Sequence, residues 1–277
     1  MRFHFLAACL LVASAVPAAA QAPVPAPVQA PVMASYRAVY DLALKAASGE
    51  RGLESGRGRI VLEFTGNECE GYALSFRQVT DLSGGEIGRK ISDLRSTTYE
   101  DGEGKTFRFN SETRQGPRQG EITDGVAERM GGKLAITLRK PKPSKLTLSG
   151  DIAFPTQHLK ELVVEARAGN RTFNRRVYDG SDDSNEAYDT FAIIGAPKKD
   201  NAALEADIVK AGWDKLSRWP VSISFFEPED ADKPAYVLSY ELFENGFGRA
   251  LKIDYGTFAF NGTLTKLELM PSKPCKK

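Results

Sequence analysis

The chain has 277 residues, of which 42% are hydrophobic, and its 37 basic residues almost balance 36 acidic ones, for a formal net charge of +1. This balance excludes a general nucleic-acid-binding protein, because such binding depends on net neutralisation of phosphates. The length suffices for one all-β domain with a full core, or for two small domains.

The first twenty residues have the pattern of a secretory signal peptide. Arg2 gives a basic start, residues 6–16 form an apolar run, and Ala18 and Ala20 mark a cleavage site. The run is too short to span a bilayer, which takes about 20 apolar residues. Cys9 ends a lipoprotein-like box, but only five residues precede that box and the apolar run continues beyond it. We therefore predict cleavage after Ala20 and export of a soluble chain.

Residues 21–34 are mostly Ala, Pro, Val and Gln, without periodicity. This composition predicts an extended, disordered linker, with a proline-rich peptide ligand as the alternative. Residues 35–277 are then a single β domain.

Apolar residues at spacing two predict a series of strands before the main helix. These strands are expected at residues 36–45, 60–64, 72–76, 90–99, 106–113, 120–130, 134–138 and 146–148. A turn-rich loop is expected at residues 49–58. The spacing of about ten to fifteen residues between strands is typical of an antiparallel meander.

The periodicity changes once, after Pro155. Apolar residues then recur at helical spacing from Leu159 to Ala166, Thr156 can cap the first turn, and Gly169 supplies the stop. A second, weaker helix is predicted at residues 201–211, with Leu204 and Ile208 facing inward.

The last third returns to strands, at residues 172–178, 188–194 and 221–225. The closing segment, residues 235–275, again alternates apolar and polar residues. Asn245-Gly246 and Asn261-Gly262 interrupt the alternation and predict two tight hairpins.

Export changes the interpretation of the cysteines. Cys9 is removed with the signal peptide, which leaves Cys69 and Cys275. Two distant cysteines in an oxidising compartment predict a disulfide, whereas a zinc site would need four ligands at short spacings.

His158 is the single histidine of the mature chain, in the first turn of the main helix. A general base is conceivable there, but the helix N-terminus disfavours a cation, and no Gly-x-Ser-x-Gly motif supplies a nucleophile. We predict a structural role. The acidic stretch Tyr178–Glu186 lacks the spacing of an EF-hand and is predicted as a turn rather than a calcium site. The basic cluster Arg139–Lys145 is predicted as a solvated hairpin tip, with lipid phosphates as the alternative partner.

Several segments together resemble one known family, the EipB family of alphaproteobacterial periplasmic cell-envelope-integrity proteins. The matching segments are Tyr36–Leu42, Cys69–Tyr72, Phe76–Gln78, Phe154–His158, Val177–Ser181, Glu244–Gly246, Asp254–Gly256 and Cys275. The resemblance covers nearly all of residues 36–275, while the proline-rich leader departs from it.

The resemblance implies a mainly β fold, a spiral-like antiparallel sheet forming an open, cup-shaped half barrel with one or two packed helices. It also implies an oxidised Cys69–Cys275 pair, a periplasmic location and a role in envelope integrity under stress. It supplies no catalytic residues.

We therefore predict a non-enzymatic protein without a cofactor or metal, whose concave sheet binds a lipid or a lipoprotein segment. Phe76, Tyr240 and Leu242 are the predicted lining of that cavity. The alternative is a scaffold that acts through a protein partner such as a periplasmic tetratricopeptide-repeat protein. A hydrolase is the third hypothesis.

Overall fold

The computed structural model describes residues 30–47, 53–85, 88–116, 120–181, 186–198, 204–273 and 275. The predicted signal peptide with Cys9, residues 21–29 of the linker, residues 182–185 of the acidic stretch and the start of the second predicted helix lie outside these ranges.

The described residues form one sheet of fifteen strands. The strands are β1 (Tyr36–Ala47), β2 (Leu53–Asn67), β3 (Gly71–Gly84), β4 (Gly88–Glu100), β5 (Thr106–Gln115), β6 (Glu121–Met130), β7 (Lys133–Lys140), β8 (Ser144–Ser149), β9 (Ile152–Ala153), β10 (Thr172–Val177), β11 (Tyr188–Ile194), β12 (Arg218–Phe226), β13 (Tyr236–Phe243), β14 (Gly248–Asp254) and β15 (Phe258–Leu269).

The sheet is an antiparallel meander with one long-range join. Its order is β8-β7-β6-β5-β4-β3-β2-β1-β15-β14-β13-β12-β11-β10-β9, so the first and last strands lie side by side at its centre. Only the short β9 pairs in parallel, with β10. The sheet curls into a nearly closed barrel with a single seam, which confirms the mainly β, barrel-like prediction.

The seam lies between β8 and β9, and an aromatic cluster packs behind it. Phe107 and Phe109 of β5 stack on each other and contact Tyr178, and Phe107 also stacks on Phe154. All four side chains are at most 3% exposed. Residues on both sides of the seam therefore share one core.

Within the described ranges, the sheet is accompanied by two helices, α1 (Pro155–Ala168) and α2 (Ala206–Lys210), and by the 3-10 turn Trp213–Lys215. Helix α1 buries Leu162, Val163 and Ala166 against strands β11 to β13. Gly169 ends it in the left-handed conformation, as predicted. Ile208 of α2 is completely buried in the main core, with the side chains of β1.

Three local predictions were wrong. Strand β2 begins at Leu53, so residues 53–58 of the expected loop are strand. Asn261-Gly262 lies inside β15, where Gly262 fits between Leu42 and Leu251 because a Cβ atom would come within 3.0 Å of Leu251. The turn instead lies at residues 255–257.

The third error concerns the cap of α1. Thr156 does not cap this helix, whose N-cap residue is Phe154 without a side-chain hydrogen bond. The carboxylate of Glu100, from the end of β4, accepts hydrogen bonds from the backbone N–H groups of Thr156 and Gln157 at 2.8 and 2.9 Å. A residue distant in sequence thus satisfies the helix terminus.

Part of the leader packs on the domain. Pro31 and Met33 are buried, and the N–H of Ala34 donates to the carbonyl oxygen of Asn245 at 3.0 Å. The expected disorder of residues 21–34 therefore does not extend to residues 30–34.

Candidate functional site on the inner face of the sheet

Strand register defines which side chains share the inner face of the sheet. Ala38 on β1 pairs with Leu62 on β2 and with Leu267 on β15, and Leu62 pairs in turn with Phe76 on β3. Because side chains alternate along a strand, every second residue follows onto the same face. This face carries the core, whereas the opposite face carries ion pairs such as Arg59–Asp41 and Arg77–Asp93.

Helix α1 occupies one part of the inner face. Its buried residues contact Trp219, Val221 and Leu242, and Leu242 is 0% exposed. Leu242 is therefore core beneath the helix and offers no surface to a ligand. The predicted lining residues Phe76 and Tyr240 lie on the same face but are only half-buried.

A band of half-buried apolar side chains extends from these two residues over the part of the inner face beyond α1. We call it the apolar strip. Its members are Leu44, Leu62, Phe76, Leu82, Phe225, Tyr236, Leu238, Tyr240, Leu251 and Phe258. Together they connect strands β12 to β15 with β1, β2 and β3. Contiguous accessible apolar surface of this kind marks a binding surface more often than a solvated one.

Aromatic rings make up one end of the apolar strip. Phe225 and Tyr236 stack with ring centroids 4.4 Å apart, and Tyr188 meets both edge-on at 6.0 and 6.2 Å. Tyr255 continues the row towards Phe258 at 5.0 Å. Such aromatic rows combine apolar area with few rotatable bonds, and so favour contact with extended apolar groups.

Polar side chains interrupt the apolar inner face of β3 to β5. Register places Gln78, Ser96 and Ser111 there, among apolar residues such as Leu94 and Phe109. The hydroxyl of Ser111 is buried and has no hydrogen-bond partner among the described residues. The inner face thus combines hydrocarbon and aromatic carbon with hydroxyl and amide groups.

Burial keeps the tyrosines of this face neutral. It raises the pKa of Tyr36, Tyr40, Tyr236 and Tyr240 well above their ordinary value. The Tyr40 hydroxyl donates to the carbonyl oxygen of Gly248 at 2.6 Å. The strip therefore carries no ionised phenol at physiological pH.

His158 lies in the first turn of α1 and is buried in the core. Its ring stacks on Phe173 with centroids 5.7 Å apart, and its Nε2 atom lies 3.3 Å from the Thr190 hydroxyl. Burial, assisted by the charge of Arg175, lowers its pKa to about 4. Since Thr190 already donates to the backbone carbonyl of Arg175, the contacts fit the structural role predicted for this histidine.

Glu100 is a buried acidic residue with a perturbed pKa that the sequence did not reveal. It is 4% exposed, and burial raises its pKa to about 7 although two backbone N–H groups and Lys160 oppose this change. No local pattern identifies it, because its partners lie about fifty residues away on α1.

Cys69 and Cys275 meet at the outer end of the β2–β3 connection. Their sulfur atoms are 2.14 Å apart and their Cα atoms 5.6 Å apart. The side chain of Asn67 accepts hydrogen bonds from the N–H groups of Cys69 and Glu70 and donates to the carbonyl oxygen of Lys273. Asn67 thus fixes both chain segments that the cysteines join.

The remaining sequence candidates lie apart from the inner face. In the acidic stretch, the Asp179 carboxylate accepts a hydrogen bond from the Ser181 N–H, as in an ordinary turn. In the basic cluster, Arg139 is exposed and forms a bidentate pair with Asp124. The described residues contain no group of three or more His, Cys, Asp or Glu side chains that could hold a metal. None of the described helices has the length and apolar character of a membrane span.

Comparison with known proteins gives one family. Residues 27–271 match the family model described as EipB-like. The curated cell envelope integrity protein EipB of Brucella abortus (strain 2308) is 35% identical over 236 residues, which are 84% of this chain and 83% of that protein.

A solved structure is also similar to this chain, in agreement with the family model and the curated relative. The crystal structure of a β-barrel-like protein of a domain of unknown function from Brucella abortus superposes with a TM-score of 0.81 at 34% identity. The match covers 87% of this chain and 100% of that one.

Proposed function

This chain belongs to the EipB-like family, and we propose that it supports cell-envelope integrity from the periplasm by holding the acyl chain of a lipid or lipoprotein on the inner face of its sheet. The protein acts without catalysis, and the apolar strip makes the contact with the chain.

The observation that carries this proposal is the partial exposure of the strip. Inward-facing Leu238, Leu251, Phe76 and Tyr240 are each only half-buried, whereas equivalent residues under α1, such as Leu242, are completely buried. A barrel interior that served only stability would be filled, because protein cores are close-packed. An extended acyl chain would complete this packing.

Polar groups beside the strip restrict the ligand class further. Ser96 pairs with Phe76 in the sheet, and Gln78 follows Phe76 on the same face of β3. Half-buried hydroxyl and amide groups favour a partner that supplies hydrogen bonds. A molecule with an acyl chain and a neutral polar head, such as an acylated peptide or a glycolipid, fits both kinds of contact.

Binding of a fluorescent fatty-acid probe tests the proposal. Phe76→Asn replaces a half-buried ring of the strip, and Ile193→Asn replaces an outward-facing side chain of β11 that is 54% exposed. We expect saturable binding by the wild type, a loss of about tenfold or more in Phe76→Asn as apolar contact disappears, and no change in Ile193→Asn. Absence of saturable binding by the folded wild type, or an equal loss in both variants, would contradict the proposal.

A scaffold that acts through a protein partner is the second candidate, and the edge strand β8 favours it. This strand pairs only with β7 among the described strands, and Lys145, Thr147 and Ser149 on it are exposed. An open edge can accept a strand from a partner, such as a linker of a tetratricopeptide-repeat protein. Lys145→Pro should abolish co-purification of such a partner and leave fatty-acid binding intact.

A further inference from the structure

The outer face of β2 to β4 carries arginines in excess over carboxylates. Asp81 on β3 lies between two of them. Arg89 makes a bidentate pair with it at 2.8 Å for both contacts, and Arg57 reaches the same carboxylate at 3.3 Å. Both guanidinium groups remain largely exposed, with side-chain exposures of 63% and 80%.

Asp93 on β4 repeats this arrangement one strand further on. Arg77 pairs with it through two contacts of 2.9 Å, and Arg95 reaches both of its oxygens at 3.5 and 3.0 Å. Hydrogen bonds from arginine lower the pKa of Asp81 and of Asp93 to about 2. Both carboxylates are therefore ionised at any physiological pH, and each neutralises only one of its two arginines.

Arg59, paired with Asp41 at 2.7 Å, completes what we call the arginine patch. The patch comprises Arg57, Arg59, Arg77, Arg89 and Arg95, with Asp41, Asp81 and Asp93. Five cations against three anions leave a charge of +2 on one face of a nearly neutral chain.

Neighbouring strands show what a merely stabilising pair looks like. On the same outer face, Arg139 pairs with Asp124 and Arg114 pairs with Glu112, one cation to one anion. A second guanidinium on an already paired carboxylate adds repulsion between cations and, at the surface, little stability. Stability alone does not account for the excess of arginines over carboxylates in the patch.

We propose that the arginine patch docks the protein onto an anionic lipid bilayer by contacting its phosphate groups. An arginine presents five N–H donors in a planar fork that matches phosphate oxygens, and a bidentate contact with aspartate uses two of them. Several such groups on adjacent strands, about 4.8 Å apart, form a broad array rather than an enclosed site. A broad cationic array is complementary to a surface of many phosphates.

The shape of the patch agrees with this partner. A depression of about 550 Å³ lies between Arg57, Arg59 and Arg77, and its lining includes Val61 and Val79 together with Asp41 and Asp81. Guanidinium groups in excess over carboxylates, beside apolar side chains, suit a lipid headgroup region, where phosphate and hydrocarbon lie close together. Further along the same strands, the outward-facing Arg37 and Glu63 balance each other in charge.

The test compares two double variants with the same change in net charge. Arg77→Gln/Arg95→Gln removes two patch arginines, whereas Lys105→Gln/Arg139→Gln removes two cations from exposed one-to-one ion pairs away from the patch. Flotation with phosphatidylcholine vesicles, with and without phosphatidylglycerol, measures binding at low salt. We expect the wild type to bind only the anionic vesicles, and less at high salt.

The patch variant should bind the anionic vesicles roughly tenfold or more weakly, because each basic residue contributes substantially near an anionic surface. The control variant should stay within about twofold of the wild type, and Asp93→Asn, which frees two arginines, should bind more tightly. Equal losses in both double variants, or no preference for anionic vesicles, would overturn the proposal. Full competition by inorganic phosphate at matched ionic strength would overturn it in favour of a small-anion site. Because this assay needs no acyl ligand, its outcome is separate from that of the fatty-acid test.

Discussion

Two buried groups at the start of α1, Glu100 at the end of β4 and His158 in the first turn of the helix, should give opposite dependences of stability on pH. Glu100 keeps its proton up to about pH 7 in the folded protein, against an ordinary pKa of 4.5. His158 resists protonation until about pH 4, against an ordinary 6.5. Both are at most 6% exposed, so solvent screens neither effect strongly. The perturbations that separate them are Glu100→Gln and His158→Gln.

The signs follow from which state binds more protons. Between pH 4.5 and 7 the folded state holds a proton on Glu100 that the unfolded chain has lost, so stability falls as pH rises. Between pH 4 and 6.5 the unfolded chain holds a proton on His158 that the folded state lacks, so stability rises with pH. Each pair of pKa values differs by about 2.5, which corresponds to about 3 kcal/mol. In their shared window, the two contributions cancel.

Urea denaturation at intervals from pH 4 to 7.5 measures this directly. Relative to the wild type, Glu100→Gln should gain stability progressively from pH 4.5 to 7, by about 3 kcal/mol in total. His158→Gln should lose relative stability over the window from pH 4 to 6.5, by a similar amount. The control is Glu103→Gln, which changes an exposed side chain in the turn after β4. Its free energy of unfolding should vary with pH in the same way as that of the wild type.

A wild-type profile parallel to that of Glu100→Gln would refute the reasoning. It would mean that the two N–H groups of α1 hold Glu100 ionised in the folded state and outweigh its desolvation. The Gln substitution also exchanges one acceptor oxygen for a donor, but that cost does not depend on pH, so the slopes remain comparable.

Three further predictions concern the Cys69–Cys275 pair, the seam and the leader. Cys69→Ser and Cys275→Ser should each destabilise the protein by about 2 to 5 kcal/mol, and the double variant should be no less stable than either single variant. In thermal unfolding, the reduced wild type should have the same melting temperature as these variants. Additive losses of stability would contradict a shared bond. Gly180→Ala should lower the free energy of unfolding by more than 2 kcal/mol, since a Cβ atom there would lie 2.4 Å from an aromatic ring. The control is Gly131→Ala, which also has a positive φ but has open space around it, and thermal unfolding should show a loss of about 1 kcal/mol. Mass spectrometry of the exported protein should show an N-terminus at Gln21. Recovery of the protein with a lipid on Cys9 would contradict this prediction.

Much of the sheet could be predicted because its alternation is local. Tyr36, Ala38, Tyr40 and Leu42 follow one another at spacing two, and all four are at most 7% exposed. The hairpin at Asn245-Gly246 likewise follows from its turn residues, and Gly246 has the positive φ that such turns need.

The errors arise where tertiary contacts override local signals. The dipeptide Asn261-Gly262 has the same letters as the true turn, yet its glycine lies in the middle of β15, where two neighbouring leucines leave little room for a side chain. Thr156 looks like a cap, but the carboxylate of Glu100 takes over that role from another strand. The two-residue strand β9 has no periodicity to detect.

The candidate site was predictable only in part. Alternation places Phe76, Tyr240 and Leu242 on one face, but it cannot tell that α1 covers Leu242 and leaves the other two half-buried. The arginine patch was missed because its ion pairs join neighbouring strands whose register the sequence does not specify.

The central claim is that the inner face holds an acyl chain, and mass spectrometry of organic extracts of the protein purified from its own periplasm tests it most directly. The account predicts a recurring acylated molecule, about one per chain, that is lost from the Phe76→Asn variant and retained by Ile193→Asn. An extract without any lipid, from folded protein that co-purifies with another protein instead, would contradict it.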